Sequence, residues 1–384
     1  MIKRLLHIAF WTLFLPNLYG QVGEKLSITG YVRDLPLLGT DDAFSEYNFN
    51  NILHNRLNIR FDGGENWSIR MGQRTRYLYG DAFSNPFFVE FLRSDQGPLP
   101  LSHVLHNSDQ HVIHTITDRL YFDWQKGDWQ VRIGRQRINW GINLVFNPND
   151  FFNNYNFFDF DYDERPGTDA IRITHFDGVL SRWELAYSPG INARNSVAAV
   201  MRAINYKGYD LQVMSGYFHH RAAIGGGWAG SVGGMGWKGE LSYFHDLESV
   251  AGKEPGNIVA SMSGDYRFNN GLFLIGEVVY NQQRTGVGPD ALVLIEPLRA
   301  DNVTFSEWAV VSTLQYQHKI LHSFSLAAMY FPVDDIFFLS PNYTRSLHRD
   351  LDLSLLSQLF IGPSDAPLAS ARYNLIVMIQ WNFM

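Results

Sequence analysis

The 384-residue chain contains no cysteine. That removes disulfides, thiol nucleophiles, cysteine-bound zinc and a lipid-bearing cysteine. Charge is also scarce. Asp, Glu, Lys and Arg make up 18% of the residues, against ~25% in ordinary soluble domains. The formal charge of −7 argues against a nucleic-acid surface, which needs a basic face. Beyond the N-terminus no apolar run reaches the ~20 residues of a spanning helix. Neither G-x-S-x-G nor H-E-x-x-H occurs. No catalytic residue, metal site or cofactor is expected, and no nucleic-acid partner.

Aromatic residues, by contrast, reach 15%, with 33 glycines. The chain opens with Lys3 and Arg4, then an apolar stretch from Leu5 to Leu18 broken by Pro16 and Asn17. Gly20 supplies a small residue before Gln21. This pattern predicts a secretory signal peptide over 1–20 and an exported single domain over 21–384. Within that domain, alternation of period two recurs almost everywhere. In "HNRLNIRFD", Leu53, Leu57, Ile59 and Phe61 oppose His54, Arg56, Asn58 and Arg60. In "WSIRMGQRTRYLY", Trp67, Ile69, Met71 and Tyr77 oppose Arg70, Arg74 and Arg76. "DRLYFDW" sets Leu120, Phe122 and Trp124 against Arg119, Tyr121 and Asp123.

One face is greasy and the other carries arginine. Several such segments reach the ~9–11 residues that a tilted membrane strand needs. Tight turns ("DGGEN", "QKGD", "NYKGY", "FNNG", "LHRD") alternate with longer connections, notably Gly80–Gln110 and Gly141–Thr168. Short turns on one rim and long loops on the other mark an outer-membrane barrel. The expectation is therefore an all-β fold: a transmembrane antiparallel β-barrel of about 18 strands, sixteen being the alternative because of the Gly-rich tract 222–239. Such a barrel lies in the cell outer membrane, has outer-membrane lipid as partner, and admits homo-oligomers. A barrel this wide leaves an aqueous channel.

The third long loop is then Gly141–Thr168. It is expected to fold back into the lumen, because Phe146, Phe151, Phe152, Phe157, Phe158 and Phe160 need an apolar seat. Asn147, Asn149 and Asn153 can bond irregular backbone. The predicted pore lining is Arg56, Arg60, Arg70, Arg74, Arg76, Arg119, Arg132, Arg135, Arg172 and Arg182 on the wall. It faces Asp159, Asp161, Asp163 and Glu164 on the loop. Charges lining a low-dielectric channel act strongly on passing ions. This predicts a passive porin-like channel for small hydrophilic solutes, anionic or polyhydroxylated. Pinning of the loop by Arg–Asp pairs is the plainer reading of the same residues. Parity raises one difficulty: Arg132 and Arg135 cannot share a face of a regular strand. The preferred resolution is a bulge at Gly134, the other being that Arg135 lies above the apolar band.

The run Arg132, Gly134, Arg135, Gln136, Trp140, Gly141, then Asn147, Pro148 and Asp150, resembles the R-x-G-R-Q-x-x-x-W-G…N-P-x-D element of Gram-negative outer-membrane barrels of the alginate-export-like, porin-like type. The resemblance covers about forty residues. It implies a passive channel or an export conduit for an acidic polysaccharide. Many such barrels end in Phe, whereas Phe383 is penultimate here. Other readings are an outer-membrane hydrolase, with His322 and Ser325 as its candidate pair, and an adhesive barrel. His103, His106, His111 and His114 straddle a loop and a strand and are read as a solvated loop rather than a metal cluster. "DFDYDE" offers half of a calcium loop without its glycine.

Overall fold

The computed structural model describes residues 25–383, apart from 42–43, 85, 96, 154–163, 249–254, 283–297 and 364–372. The strands in chain order are β1 (Leu26–Thr40), β2 (Tyr47–Gly64), β3 (Trp67–Gly80), β4 (Ser102–Asn107), β5 (His111–Lys126), β6 (Trp129–Gln136) and β7 (Thr168–Gly178). Then come β8 (Ser181–Ser188), β9 (Val197–Tyr206), β10 (Tyr209–Phe218), β11 (Arg221–Val232), β12 (Met235–Asp246) and β13 (Gly256–Arg267). The last are β14 (Phe273–Asn281), β15 (Trp308–His318), β16 (His322–Phe331), β17 (Ile336–His348), β18 (Leu351–Ile361) and β19 (Tyr373–Phe383). Among the described residues one α-helix, α1 (Pro86–Arg93), follows β3.

Consecutive strands pair antiparallel except β3 and β4, and β1 pairs with β19, which closes the sheet. β3 pairs directly with β5 over Trp67–Tyr79. β4 bonds only to β5, taking the place beside it that β6 has vacated at the outer end. With that spur set aside, the wall has eighteen strands. β2 begins at Tyr47, so only residues 41–46 separate it from β1.

The wall has two unlike faces. Ile69, Phe122, Ile133, Ile171, Leu185, Val213, Leu241, Val278, Val310, Leu355 and Ile379 are all exposed. Their neighbours on the opposite phase, Arg74, Tyr121, Ala186, Met214, Glu240, Glu277, Val311, Ser354 and Ile376, are buried. An apolar belt on the outside of a closed sheet has no protein core to enter. Hydrocarbon satisfies it, and closure leaves no backbone edge unpaired there.

Two prolines sit inside strands, where each removes a ladder donor. Pro36 pairs with Asn51 of β2, but the β1–β19 register skips from Asp34↔Ile379 to Leu37↔Ile376. Pro341 pairs with Leu326 of β16, but the β17–β18 register skips from Leu339↔Leu359 to Asn342↔Leu356. Each proline thus keeps one of its two ladders and interrupts the other.

The bulge expected at Gly134 is not there. Its register runs unbroken against both Tyr121 and Ala170. Gly134 instead has φ +117°, and a Cβ would meet the Leu120 carbonyl. A real register shift lies one strand earlier, opposite Gly72/Gln73. It brings Asp118 and Arg119 onto the inner face together.

Candidate functional site

The inner face of β1–β8 is a wall of guanidinium groups. Cross-strand pairing sets Arg56 opposite Arg74, Arg60 opposite Arg70, and Arg132 opposite Arg172. Like charges placed so close repel, so the fold threads carboxylates among them. Arg56, 2% exposed, forks onto Asp118, 1% exposed, at 2.5 and 2.9 Å. Arg56 Nε also lies 3.2 Å from Glu164, which accepts from the Tyr31 hydroxyl at 2.9 Å. Arg132 donates twice to Asp123 and lies over the Tyr121 ring. Arg182 and Arg172 both reach Glu184. Arg119 donates to the carbonyls of Asp118, Glu164 and Arg165, so its charge stays uncancelled in those contacts.

The other predicted residues divide by position. Arg74 is buried and Arg76 half-buried on the same face, while Arg70 and Arg60 lie exposed toward the tight-turn rim, Arg60 pairing with Asp62 at 2.9 Å. Arg135 is 3% exposed and held between Asp169 and Asp95, with a further bond to the Leu99 carbonyl. It locks the end of β6 to the chain that leads into β4. Asp159, Asp161 and Asp163 lie outside the described residues, as do Phe157, Phe158 and Phe160.

From Gln136 the chain leaves β6 and binds strands from β8 to β14 along the wall. Ile138 N donates to Asn153 Oδ1, which closes the segment on itself. Trp140 donates its indole N–H to Glu184, and its carbonyl accepts from Gln212. Glu240 of β12 accepts three backbone N–H groups, from Ile142, Asn143 and Asn149. Glu277 of β14 accepts those of Val145 and Phe146. Asn143 bridges Ser261 and Ser263 of β13, and Asn149 joins Ser242 and the Gly226 carbonyl. A backbone with no helix or sheet partners thus has its donors met by two acidic side chains. Val145, Phe146 and Phe151 join Ala186, Met201, Met214, Phe218 and Phe244 in one buried cluster.

Asp150 ends this run. Burial pushes its carboxyl well above the ordinary range; Arg137 opposes that, and Glu240 adds to it. The segment 298–306 covers a neighbouring part of the same face. There Asn257 and Arg221 hold Asp301, Asn281 holds Thr304, and Phe305 packs on Phe331.

Two sequence readings are corrected. The first part of the histidine-rich segment is not loop but strand β4, which with β5 makes a hairpin, with His103 opposite Thr115 and Val104 opposite His114. His322 and Ser325 lie on one strand at odd separation, so they occupy opposite faces and cannot act together. A closer serine–histidine pair, Ser102 and His114 at 2.8 Å, is also no dyad. Arg76 approaches His114 Nδ1 at 3.1 Å and can only donate. The imidazole therefore carries its proton on Nε2 and gives it to Ser102, whose hydroxyl donates to the Leu92 carbonyl. The chain of bonds ties β3 to the end of α1. Among the described residues no three His, Asp or Glu side chains gather as a metal site.

Sequence reasoning missed Asp118, Glu184, Glu240 and Glu277. Their signal was available for three of them: a carboxylate on the inward phase of a strand whose other phase is apolar. Asp118 was hidden by the register shift.

A closed eighteen-strand sheet with a greasy exterior and a polar interior defines an outer-membrane β-barrel. Among solved structures, the chain is similar to OccAB1 of Acinetobacter baumannii, with TM-score 0.57 and 10% identity over 93% of this chain and 96% of that one. It is likewise similar to OccAB3 of the same organism, with TM-score 0.57 and 9% identity over 93% and 99%. OmpF of Salmonella typhi, solved in complex with daunomycin, gives TM-score 0.51 and 10% identity over 94% and 98%. No protein-family profile matches the chain, and no curated protein does.

Proposed function

We propose that this barrel is a passive diffusion channel for small hydrophilic solutes, selective for anions that also carry hydroxyl groups. The carrying observation is the division of the inner wall. β1–β8 present Arg33, Arg56, Arg74, Arg119, Arg132 and Arg172, whereas β15–β19 present Thr313, Ser340, Asn342, Thr344, Gln358 and Gln380 in the same phase. The two halves meet where Arg33 donates to Gln380 at 2.8 Å. A solute between them meets cations on one side and amide and hydroxyl groups on the other, and it is held by many weak contacts rather than one tight one. The loop bound to Glu240 and Glu277 is the constriction in this reading. No chemical step is assigned to it.

Single-channel recording in planar bilayers tests the proposal. A steady conductance with anion-selective reversal potential is expected. Replacing Arg70, Arg74 and Arg132 by Ser should move that potential toward zero. A silent bilayer, or an unchanged potential in the triple variant, would count against the channel and against the arginines respectively.

A further inference from the structure

The outward face at the tight-turn rim of β15–β18 carries a cluster of basic residues that the lumen does not use. His318, His322 and Arg345 stand side by side on three consecutive strands, paired His318↔His322 and His322↔Arg345. Even-numbered outward positions of β15 and β16, and odd ones of β17, run through Trp308, Val310, Leu314, Leu326, Phe337 and Leu339. That phase places the three side chains on the membrane side. One pairing step toward the bilayer centre lies an aromatic row, Tyr316↔Phe324↔Tyr343. Tyr343 bonds His322 Nδ1 at 2.8 Å and packs on Phe324 with ring centroids 4.9 Å apart. Aromatic girdles of this kind mark the boundary between hydrocarbon and headgroups. The three side chains therefore sit at headgroup depth.

Lys319, His348 and Arg349 extend the patch along the adjoining turns, all exposed. The outward phase of β15–β17 holds no carboxylate at all. Of the nearest acids, Asp350 lies 3.7 Å from Arg349, and Asp352 accepts from Ser346 on the opposite phase. Elsewhere on the same rim the outward cation Arg202 is neutralised, paired with Asp177 at 2.6 Å and stacked on Trp183. Here Lys319 and Arg345 have no ion-pair partner among the described residues.

We propose that this patch binds the phosphate of an anionic phospholipid of the periplasmic leaflet. The occupant follows from position, because a bilayer covers this face. Its charge follows from complementarity: the fixed charges of Lys319 and Arg345, with no acid paired to either among the described residues, are not balanced by zwitterionic headgroups. Exposed Ile320 and Leu321 in the turn add apolar contact for the same molecule.

Native mass spectrometry of the full detergent-purified barrel tests this with phosphatidylglycerol, phosphatidylcholine and inorganic phosphate as separate probes. Phosphatidylglycerol should be retained in preference to phosphatidylcholine. Lys319→Ser, Arg345→Ser and Arg349→Ser should each weaken its retention about fivefold, the share expected of one basic residue near an anionic surface. Arg345→Lys should restore it, which separates charge from folding. Equal retention of the two lipids, or single variants that hold phosphatidylglycerol as the parent does, would overturn the site. Displacement of the lipid by inorganic phosphate would overturn the assignment to a lipid headgroup.

Discussion

At the scale of residues, the interior is governed by paired charge. Arg56 and Asp118 are shielded from water on every side, and a buried pair broken by removing one partner leaves an uncompensated ion. Asp118→Asn leaves Arg56 facing Glu164 alone and should lower the free energy of barrel unfolding from micelles, read by urea titration, by about 3 kcal/mol, the low end of the usual cost of a broken buried pair. The double change with Arg56→Gln should recover most of it. Asp118 also shows where sequence reading fails. Strict alternation from Leu120 and Phe122 sends it outward, and only the shifted register between Gly72 and Gln73 turns it in. A one-residue slip inverts every assignment beyond it, and nothing in the local composition announces the slip. Asp150 has a different consequence. Burial raises its carboxyl above the unfolded value, so the folded state takes up a proton that the unfolded chain has lost. Stability contributed there is complete below the unfolded value near 3.8 and is lost as pH rises through the folded one. Asp150→Asn should flatten that fall. A variant whose unfolding free energy keeps the parent's pH slope would refute the assignment.

At the scale of elements, the segment from Arg135 to Asp150 explains why its residue pattern looks like a signature. Arg135 locks β6 to the chain before β4, Gln136 bonds the Ala170 carbonyl, Trp140 reaches Glu184, and Asn149 joins Ser242. These are anchoring roles, made inside the protein. The motif thus reports how a loop is tied to a wall, and carries no information on what passes the wall. The aromatic richness of the loop was legible because rings demand an apolar seat. The seat itself was not, since Ala199, Met201 and Ala203 of β9 read as one more amphipathic phase. Glu240 is the point of attachment to test. Its carboxylate meets three backbone donors, and a glutamine offers one acceptor oxygen and an NH2 that repels the rest. Glu240→Gln with Glu277→Gln should loosen residues 142–149 and raise hydrogen exchange at those amides by at least about tenfold, since one lost bond to a charged acceptor is worth about 1.5–3 kcal/mol. Conductance should rise with it if the loop narrows the path.

At the scale of the whole molecule, the number of wall strands and their order follow from a simple alternation of phase and turn. The chain without its first 20 residues should migrate as a compact, heat-modifiable species only in detergent, and aggregate in buffer alone, because its apolar belt faces outward. Free solubility as a monodisperse species would contradict the fold. The spur β4 escaped prediction because it does not span; it extends one hairpin beyond the membrane. The interrupted ladders beside Pro36 and Pro341 have a last consequence. β18 and β19 pair without a gap from Leu351↔Trp381 to Leu359↔Tyr373, yet this hairpin is joined to the rest through both interrupted ladders. It is a stave with loosened joints on either side. The wall would zip up there last during insertion and part there first under force. Replacing both prolines by Val should caulk those joints, and pulling the C-terminus in single-molecule extraction should then release the final hairpin at higher force.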